Sequence, residues 1–77
     1  METFIIKKDT SFETLDKTLL VVRDIRKDHV NFWEFAYNDI TCEYDILANK
    51  NRFLTIEEIK VELYRSYGKN YKIVLDV

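Results

Sequence analysis

The chain has 77 residues, a formal net charge of −2 and a single cysteine. Hydrophobic residues make up 47% of the sequence and aromatic residues 14%. This apolar content is enough to fill the core of one small domain and is higher than that of a disordered chain. The near-balance of charge excludes the basic excess typical of nucleic-acid-binding domains, and one cysteine excludes an internal disulfide or a cysteine-based zinc site. We therefore treat residues 1–77 as a single compact domain.

The sequence carries no signal for a membrane or for export. The longest apolar run, residues 19–22, is far too short to cross a bilayer. The N-terminus lacks the basic region followed by an apolar region that marks a signal peptide. A lone thiol suits a reducing compartment. We expect a cytoplasmic protein.

The first two predicted elements are a strand and a helix. Residues 3–8 are β-branched and aromatic, which favours a strand. Residues 10–27 are predicted to be helical because Thr10 and Glu13 fit a capping box and apolar residues recur at helical spacing. Those apolar residues are Phe12, Leu15, Leu19 and Val22. The alternative is a strand at residues 18–25, which are rich in β-forming side chains.

Residues 30–47 are predicted to form the hairpin around which the chain is organised. Alternating runs flank Asn38-Asp39, which we interpret as a two-residue turn. This register places Glu34 opposite Glu43 and sorts the side chains with period two. The face expected in the core carries Trp33, Phe35, Tyr37, Ile40, Cys42 and Tyr44. The face expected to be open carries Phe32, Glu34, Ala36, Thr41, Glu43 and Asp45.

A second helix and a last strand complete the prediction. The helix covers residues 53–67, with Thr55 and Glu58 as a capping box and Gly68 as the left-handed residue that ends it. Its predicted buried stripe is Ile56, Ile59, Leu63 and Tyr67. Residues 71–77 alternate between apolar and polar side chains, which favours a strand.

The resulting order, β-α-β-β-α-β, predicts an α+β fold. Two β-α-β units joined by a hairpin form the split β-α-β, or ferredoxin-like, sandwich. In that fold a four-stranded antiparallel sheet in the order 4-1-3-2 carries both helices on one face. The other face of the sheet is left open for binding.

That open face is the predicted protein-binding surface. Its site residues are Phe32, Glu34, Glu43, Asp45 and Val74, with Ile5 and Leu47 beside them. Apolar side chains next to carboxylates are typical of interfaces, and an acidic patch attracts basic surfaces at long range. A cation site is the weaker interpretation, because no loop supplies the six or more oxygens that calcium takes. A homodimer through this face is one use of it. Another is pairing of the first hairpin strand, an exposed edge in the predicted sheet, with a second chain.

The aromatic residues of the hairpin raise the alternative of nucleic-acid binding. In RNA-recognition motifs of this fold, aromatic side chains on the open face stack on bases. We prefer a protein partner because Trp33, Phe35 and Tyr37 are expected to point into the core. Rings open to solvent would remove that preference.

Catalysis is the least favoured interpretation. Asp9 ends the first predicted strand, where some ferredoxin-like nucleases bind a metal ion, but no second acid stands in a persuasive catalytic position. His29 has no triad pattern around it, and Cys42 is expected to be buried and inert. We therefore predict no catalytic, metal or cofactor site. The predicted function is that of a small protein-binding module, an adaptor, regulator or stoichiometric inhibitor of the kind that phages and mobile elements encode.

Overall fold

The chain folds into strands and a single helix over the residues described. The computed structural model describes residues 1–45 and 51–77 with their side chains, and residues 46–50 only as part of a strand. The elements are β1 (Glu2–Ile6), β2 (Ser11–Glu13), β3 (Thr18–Ile25), β4 (His29–Asn38), β5 (Glu43–Thr55), α1 (Ile56–Tyr67) and β6 (Tyr71–Leu75). The predicted ferredoxin-like sandwich with two helices is therefore wrong.

The strands form two sheets, not one. Strands β2, β3, β4 and β5 make an antiparallel sheet in chain order, while β1 and β6 pair in parallel as a separate two-stranded sheet. The Asp76 amide donates to the Ile6 carbonyl oxygen at 2.8 Å and extends the contact between the two ends of the chain. The predicted strand order 4-1-3-2 is wrong, because the first and last strands pair only with each other in the described topology.

Strands β2 and β3 replace the predicted first helix. Within β3, Leu20 and Val22 are buried, while Leu19 and Val21 are half-buried, so burial follows the period of a strand. Leu15, which the helical pattern placed in the core, is 60% exposed. The alternative of a strand at residues 18–25 is confirmed with the same bounds. Pairing with β4 overrides the helix signals, because β-branched residues stabilise a pleated, half-buried surface.

The β4–β5 connection is a four-residue loop, residues 39–42, so the predicted two-residue turn is wrong. Asn38 stands before the loop, and its side-chain oxygen accepts from the Ile40 amide at 2.9 Å. Cys42 adopts a left-handed conformation with φ 60°, and its amide donates to the Asn38 carbonyl oxygen at 2.8 Å. Asn38 thus closes the loop through its own side chain instead of occupying the turn.

The longer loop changes the pairing of the hairpin. Tyr37 lies opposite Tyr44, and Asn38 lies opposite Glu43. The predicted pairing of Glu34 with Glu43 does not form, which removes a repulsive contact between like charges. Farther along, the register shifts between Trp33 and Phe35, so that Trp33 pairs with Asn51.

The face of β4 that enters the core is the opposite of the predicted one. Val30 and Phe32 are fully buried, whereas Trp33 is 36% exposed, and Phe35 and Tyr37 are half-buried outside the core. The Phe32 side of the sheet faces the helix and the two-stranded sheet, whose buried side chains complete the core. The core residues are Ile6, Phe12, Leu20, Val22, Val30, Phe32, Leu54, Ile59 and Leu63.

The capping residues predicted for the helix near the C-terminus are confirmed. Thr55 and Glu58 form the predicted capping box, with the Glu58 amide donating to Thr55 Oγ1 at 3.2 Å and the Thr55 amide donating to Glu58 Oε1 at 3.0 Å. Gly68 ends α1 with φ 70°. The helix begins at Ile56, because the preceding residues continue β5. Tyr67, assigned to the buried stripe, is 46% exposed.

Candidate functional site

The structure does not bring the five predicted site residues together. Phe32 is fully buried, because its side of β4 faces the core. Glu34 is half-buried, while Glu43 and Asp45 are exposed beside the β4–β5 loop. Val74 is 39% exposed but lies on β6, in the other sheet. The single open face proposed for these residues is therefore wrong.

The predictions for Ile5, for Leu47 and for the exposed edge strand have separate outcomes. Ile5 and Val74 do lie directly opposite each other on the exposed face of the β1–β6 sheet. The prediction for Leu47 lies outside the side chains that the structure describes. The strand predicted to be an exposed edge is β4, which lies between β3 and β5, so that prediction is wrong as well.

Large aromatic side chains occupy the outer face of the four-stranded sheet, the face turned away from Phe32. Val21, Trp33 and Asn51 form one cross-strand row on this face, and Phe53 lies one row away, opposite Asn31. Phe53 is 59% exposed. We call this surface the aromatic face and define it by Val21, Arg23, Trp33, Asn51 and Phe53.

A β-bulge places Arg23 on the aromatic face. The β3–β4 register shifts between Val22 and Asp24, which makes Arg23 the extra residue. Its guanidinium carbon lies 4.3 Å from the centroid of the Trp33 ring, and its Nη1 donates to Asn51 Oδ1 at 3.0 Å. The cation–π contact with Trp33 and the hydrogen bond to Asn51 together hold the Arg23 side chain against this face.

The β3–β4 turn closes one end of this face. Arg26 Nε lies 2.8 Å from Asp24 Oδ2, and His29 Nδ1 lies 2.8 Å from Asp28 Oδ1. The hydrogen bond from His29 lowers the pKa of the Asp28 carboxyl below its usual value. The His29 ring also contacts Phe53, with 5.7 Å between ring centroids. Arg26 and His29 thus each have a carboxylate beside them at this end.

A tyrosine pair marks the other end. The rings of Tyr37 and Tyr44 meet edge to face, with centroids 5.3 Å apart, and Lys17 Nζ lies 5.8 Å from the Tyr37 centroid. Loss of hydration raises the pKa of Tyr44, and the nearby Glu13 carboxylate raises it further. Tyr44 therefore stays neutral across the ordinary pH range.

Cys42 and Asp9 lie outside any described cluster of metal-ligating side chains. Cys42 is exposed in the β4–β5 loop, so the expectation that it is buried is wrong. Its place in the loop, not on a strand, is the reason. Asp9 adopts φ 71° in the turn before β2, and its amide donates to the Val22 carbonyl oxygen at 3.1 Å. No group of three or more His, Cys, Asp or Glu side chains suited to a metal occurs among the described residues.

Sequence reasoning missed Arg23, Asn51 and Phe53. Arg23 falls within residues 10–27, the predicted helix that does not form. Phe53 was assigned to the start of α1, although it belongs to β5. The alternative prediction of a strand at residues 18–25 contained the signal. In a strand, Leu20 and Val22 lie on one side of the sheet and Val21 lies on the other.

Comparison with protein-family models, with curated proteins and with solved structures found no match to this chain. Among the described residues, no helix combines the length and the apolar character needed to cross a lipid bilayer.

Proposed function

We propose that this chain is a small cytoplasmic protein-binding module, an adaptor, regulator or inhibitor, that acts by contact and not by catalysis. The observation that carries the proposal is the exposure of Trp33 and Phe53 on one sheet face, with Arg23 beside them. Aromatic residues and arginine are enriched in the centres of interfaces and supply much of their binding energy. An outward-facing aromatic cluster on a rigid sheet is suited to the same use.

Charge supports a protein over a nucleic acid. The sequence favoured a protein partner because Trp33 was expected to point into the core. Since Trp33 points outward, the choice between a protein and a nucleic acid rests on electrostatics. Nucleic-acid platforms combine aromatic side chains with a strongly positive groove. Here Asp24 neutralises Arg26, Asp28 lies beside His29, and the whole chain carries a net charge of −2. Among the side chains that the structure describes, the aromatic face therefore lacks the excess of free cations that binding to phosphates needs.

Affinity capture with matched variants tests the proposal. The tagged chain, its Phe53→Asp variant and its Val74→Asp variant are used to capture proteins from cells that express the gene, followed by quantitative mass spectrometry. Both substitutions add one carboxylate at an exposed apolar position, but on different sheets. A partner that is lost with Phe53→Asp and retained with Val74→Asp supports the aromatic face. Equal capture by all three proteins would count against it.

Binding of single-stranded nucleic acid is the second candidate. The contact between Arg23 and Trp33 favours it, because arginine planes and aromatic rings both stack on bases. Fluorescence anisotropy with a labelled single-stranded oligonucleotide at low salt is the test. Salt-dependent binding that weakens in the Arg23→Gln variant would replace the protein proposal, and a flat titration would remove this candidate.

A further inference from the structure

We infer that a pocket beside the ends of β2 and β4 and the start of β5 binds a trimethylammonium group. The pocket has a volume of about 310 Å³ and is lined by Glu13, Lys17, Tyr37 and Tyr44. We call it the tyrosine pocket. It shares no residue with the aromatic face, so the inference goes beyond the proposed function and does not depend on it.

Two tyrosine rings form a corner in this pocket. Tyr37 on β4 and Tyr44 on β5 lie opposite each other in the hairpin register. Their ring centroids are 5.3 Å apart and their planes are inclined at 67°, so the rings are not stacked face to face and both border the pocket. The face of an aromatic ring is negative and attracts a cation placed over it. A cation in this corner is therefore attracted by two rings.

A cation of the chain itself already lies at the rim of the pocket. The Lys17 ammonium is 5.8 Å from the centroid of the Tyr37 ring, close to the outer limit of about 6 Å for a cation–π contact. Lys17 is exposed in the turn before β3, where water competes for its compact ammonium. The lysine thus shows that the Tyr37 ring accepts a cation, although it leaves the volume of the pocket unfilled.

Carboxylates lie beside both rings. Loss of hydration and then the Glu13 carboxylate raise the pKa of Tyr44. A hydrogen bond with Cys42, loss of hydration and the Asp39 carboxylate raise the pKa of Tyr37. Both phenols are therefore neutral at ordinary pH. Two carboxylates act on the rings against a single ammonium, so the surroundings favour an added positive charge.

A trimethylammonium group fits this lining better than a primary ammonium does. A primary ammonium has three N–H donors that need acceptors, and it is strongly hydrated. The side chains that line the pocket offer one carboxylate and two phenol oxygens, and the rest of their surface is ring or aliphatic stem. A trimethylammonium group needs no acceptor, and aromatic walls are its usual binding site in proteins. The volume lies at the lower end of the range for ligand pockets, which suits a small head group.

An NMR titration of the full chain with choline tests the inference. We expect the choline methyl signal to shift upfield, because ring faces shield protons above them, with a dissociation constant on the order of 1 mM. The neutral isostere, in which carbon replaces the nitrogen, has the same shape without the charge. It should bind at least about fivefold more weakly. Equal binding of the two compounds, or no shift at about 20 mM choline, would overturn the inference.

Variants of the lining residues locate the site. Tyr44→Leu should raise the dissociation constant for choline by about fivefold, because it removes one ring, and Glu13→Gln should raise it by about threefold. Lys17→Met should lower it by about threefold, because a competing cation is lost. Tyr64→Leu is the control, since Tyr64 is an exposed tyrosine on α1, and should leave the constant unchanged.

The Lys17→Met variant keeps the test decisive even where Tyr44→Leu fails to fold. It changes an exposed side chain, and circular dichroism checks that the fold is retained. Weaker choline binding by Lys17→Met would overturn the inference, because the lysine would then belong to the site and not compete for it.

A peptide arm identifies the source of the group. Two glycine-flanked peptides, one with trimethyl-lysine and one with unmodified lysine at the centre, are titrated in the same way. A trimethyl-lysine peptide that binds at least as tightly as choline supports a modified protein side chain as the ligand, and weaker binding supports a free small molecule. An unmodified peptide that binds as tightly as the methylated one would overturn the assignment to trimethylammonium.

Discussion

The guanidinium of Arg23 lies over the ring of Trp33, with 4.3 Å between the guanidinium carbon and the ring centroid. Because Arg23 also donates to Asn51, this contact joins side chains from three adjacent strands on the outer face of the sheet. It partly shields the one tryptophan of the chain and holds it in a fixed orientation. The pair is thus both a stabilising contact and the centre of the proposed binding face.

Replacing Arg23 should weaken the fold modestly. Arg23→Gln should lower the free energy of unfolding by about 0.5–1 kcal/mol, the usual worth of an exposed cation–π contact, and should change the tryptophan fluorescence. Urea denaturation followed by that fluorescence measures both effects. Arg26→Gln is the control, because Arg26 makes an exposed ion pair with Asp24. Equal losses in the two variants would contradict a specific Arg23–Trp33 contact.

Two phenylalanines provide a direct test of the register. Phe32→Ala should lower the free energy of unfolding by about 3–5 kcal/mol, because it empties a fully buried site beside Phe12. Phe53→Ala removes the same atoms from an exposed position and should change the stability by about 0.5 kcal/mol or less. Thermal and denaturant unfolding of both variants decide the question. A larger loss for Phe53→Ala would mean that β4 and β5 present the other face to the core.

Cys42 is accessible in the exposed β4–β5 loop, and its backbone adopts the left-handed conformation there. A thiol reagent should modify the native protein at a rate close to that of the unfolded chain, with Cys42→Ser as the blank. Cys42→Val should lower the free energy of unfolding, because a β-branched side chain crowds the backbone at φ 60° more than the unbranched side chain of cysteine does. Cys42→Gly should fold at least as well as the parent chain, because glycine adopts this conformation without strain. Slow native labelling, or valine and glycine variants of equal stability, would contradict the four-residue loop.

The capping box gives α1 a dependence on acid pH. Hydrogen bonds from Thr55 lower the pKa of Glu58 in the folded chain, below its ordinary value of 4.5. A lowered folded-state pKa means that the stabilisation is complete above the unfolded value and is lost as pH falls through the folded one. Glu58→Gln should therefore flatten the loss of stability below about pH 4.5. Thermal unfolding across this pH range is the measurement. Glu57→Gln is the control: it removes the neighbouring carboxylate, which lies outside the capping box, and should retain the acid dependence. An unchanged curve for Glu58→Gln would contradict the cap.

Signals that act over a few residues were readable in the sequence. The Thr55–Glu58 box, the left-handed Gly68 and the alternation in β6 all depend on neighbours within one or two turns of chain. The same kind of signal misled at Thr10 and Glu13. There the hydroxyl of Thr10 accepts from the Lys7 amide at 3.1 Å in a turn, and Glu13 belongs to a strand. A capping pattern marks a helix only where the following residues do not pair as a strand more strongly.

Local patterns predicted a strand that runs from residue 30 to a turn at Asn38 and a capped helix over residues 53–67; the structure has the strand at His29–Asn38 and the helix at Ile56–Tyr67. The sequence by itself could not determine which side of that strand is inside, because Val30 and Phe32 on one side are as apolar as Trp33 and Phe35 on the other. The inside is the Phe32 side because the helix and the β1–β6 sheet pack against it. The partners that bury Phe32 come from both ends of the chain, and no local pattern records such contacts.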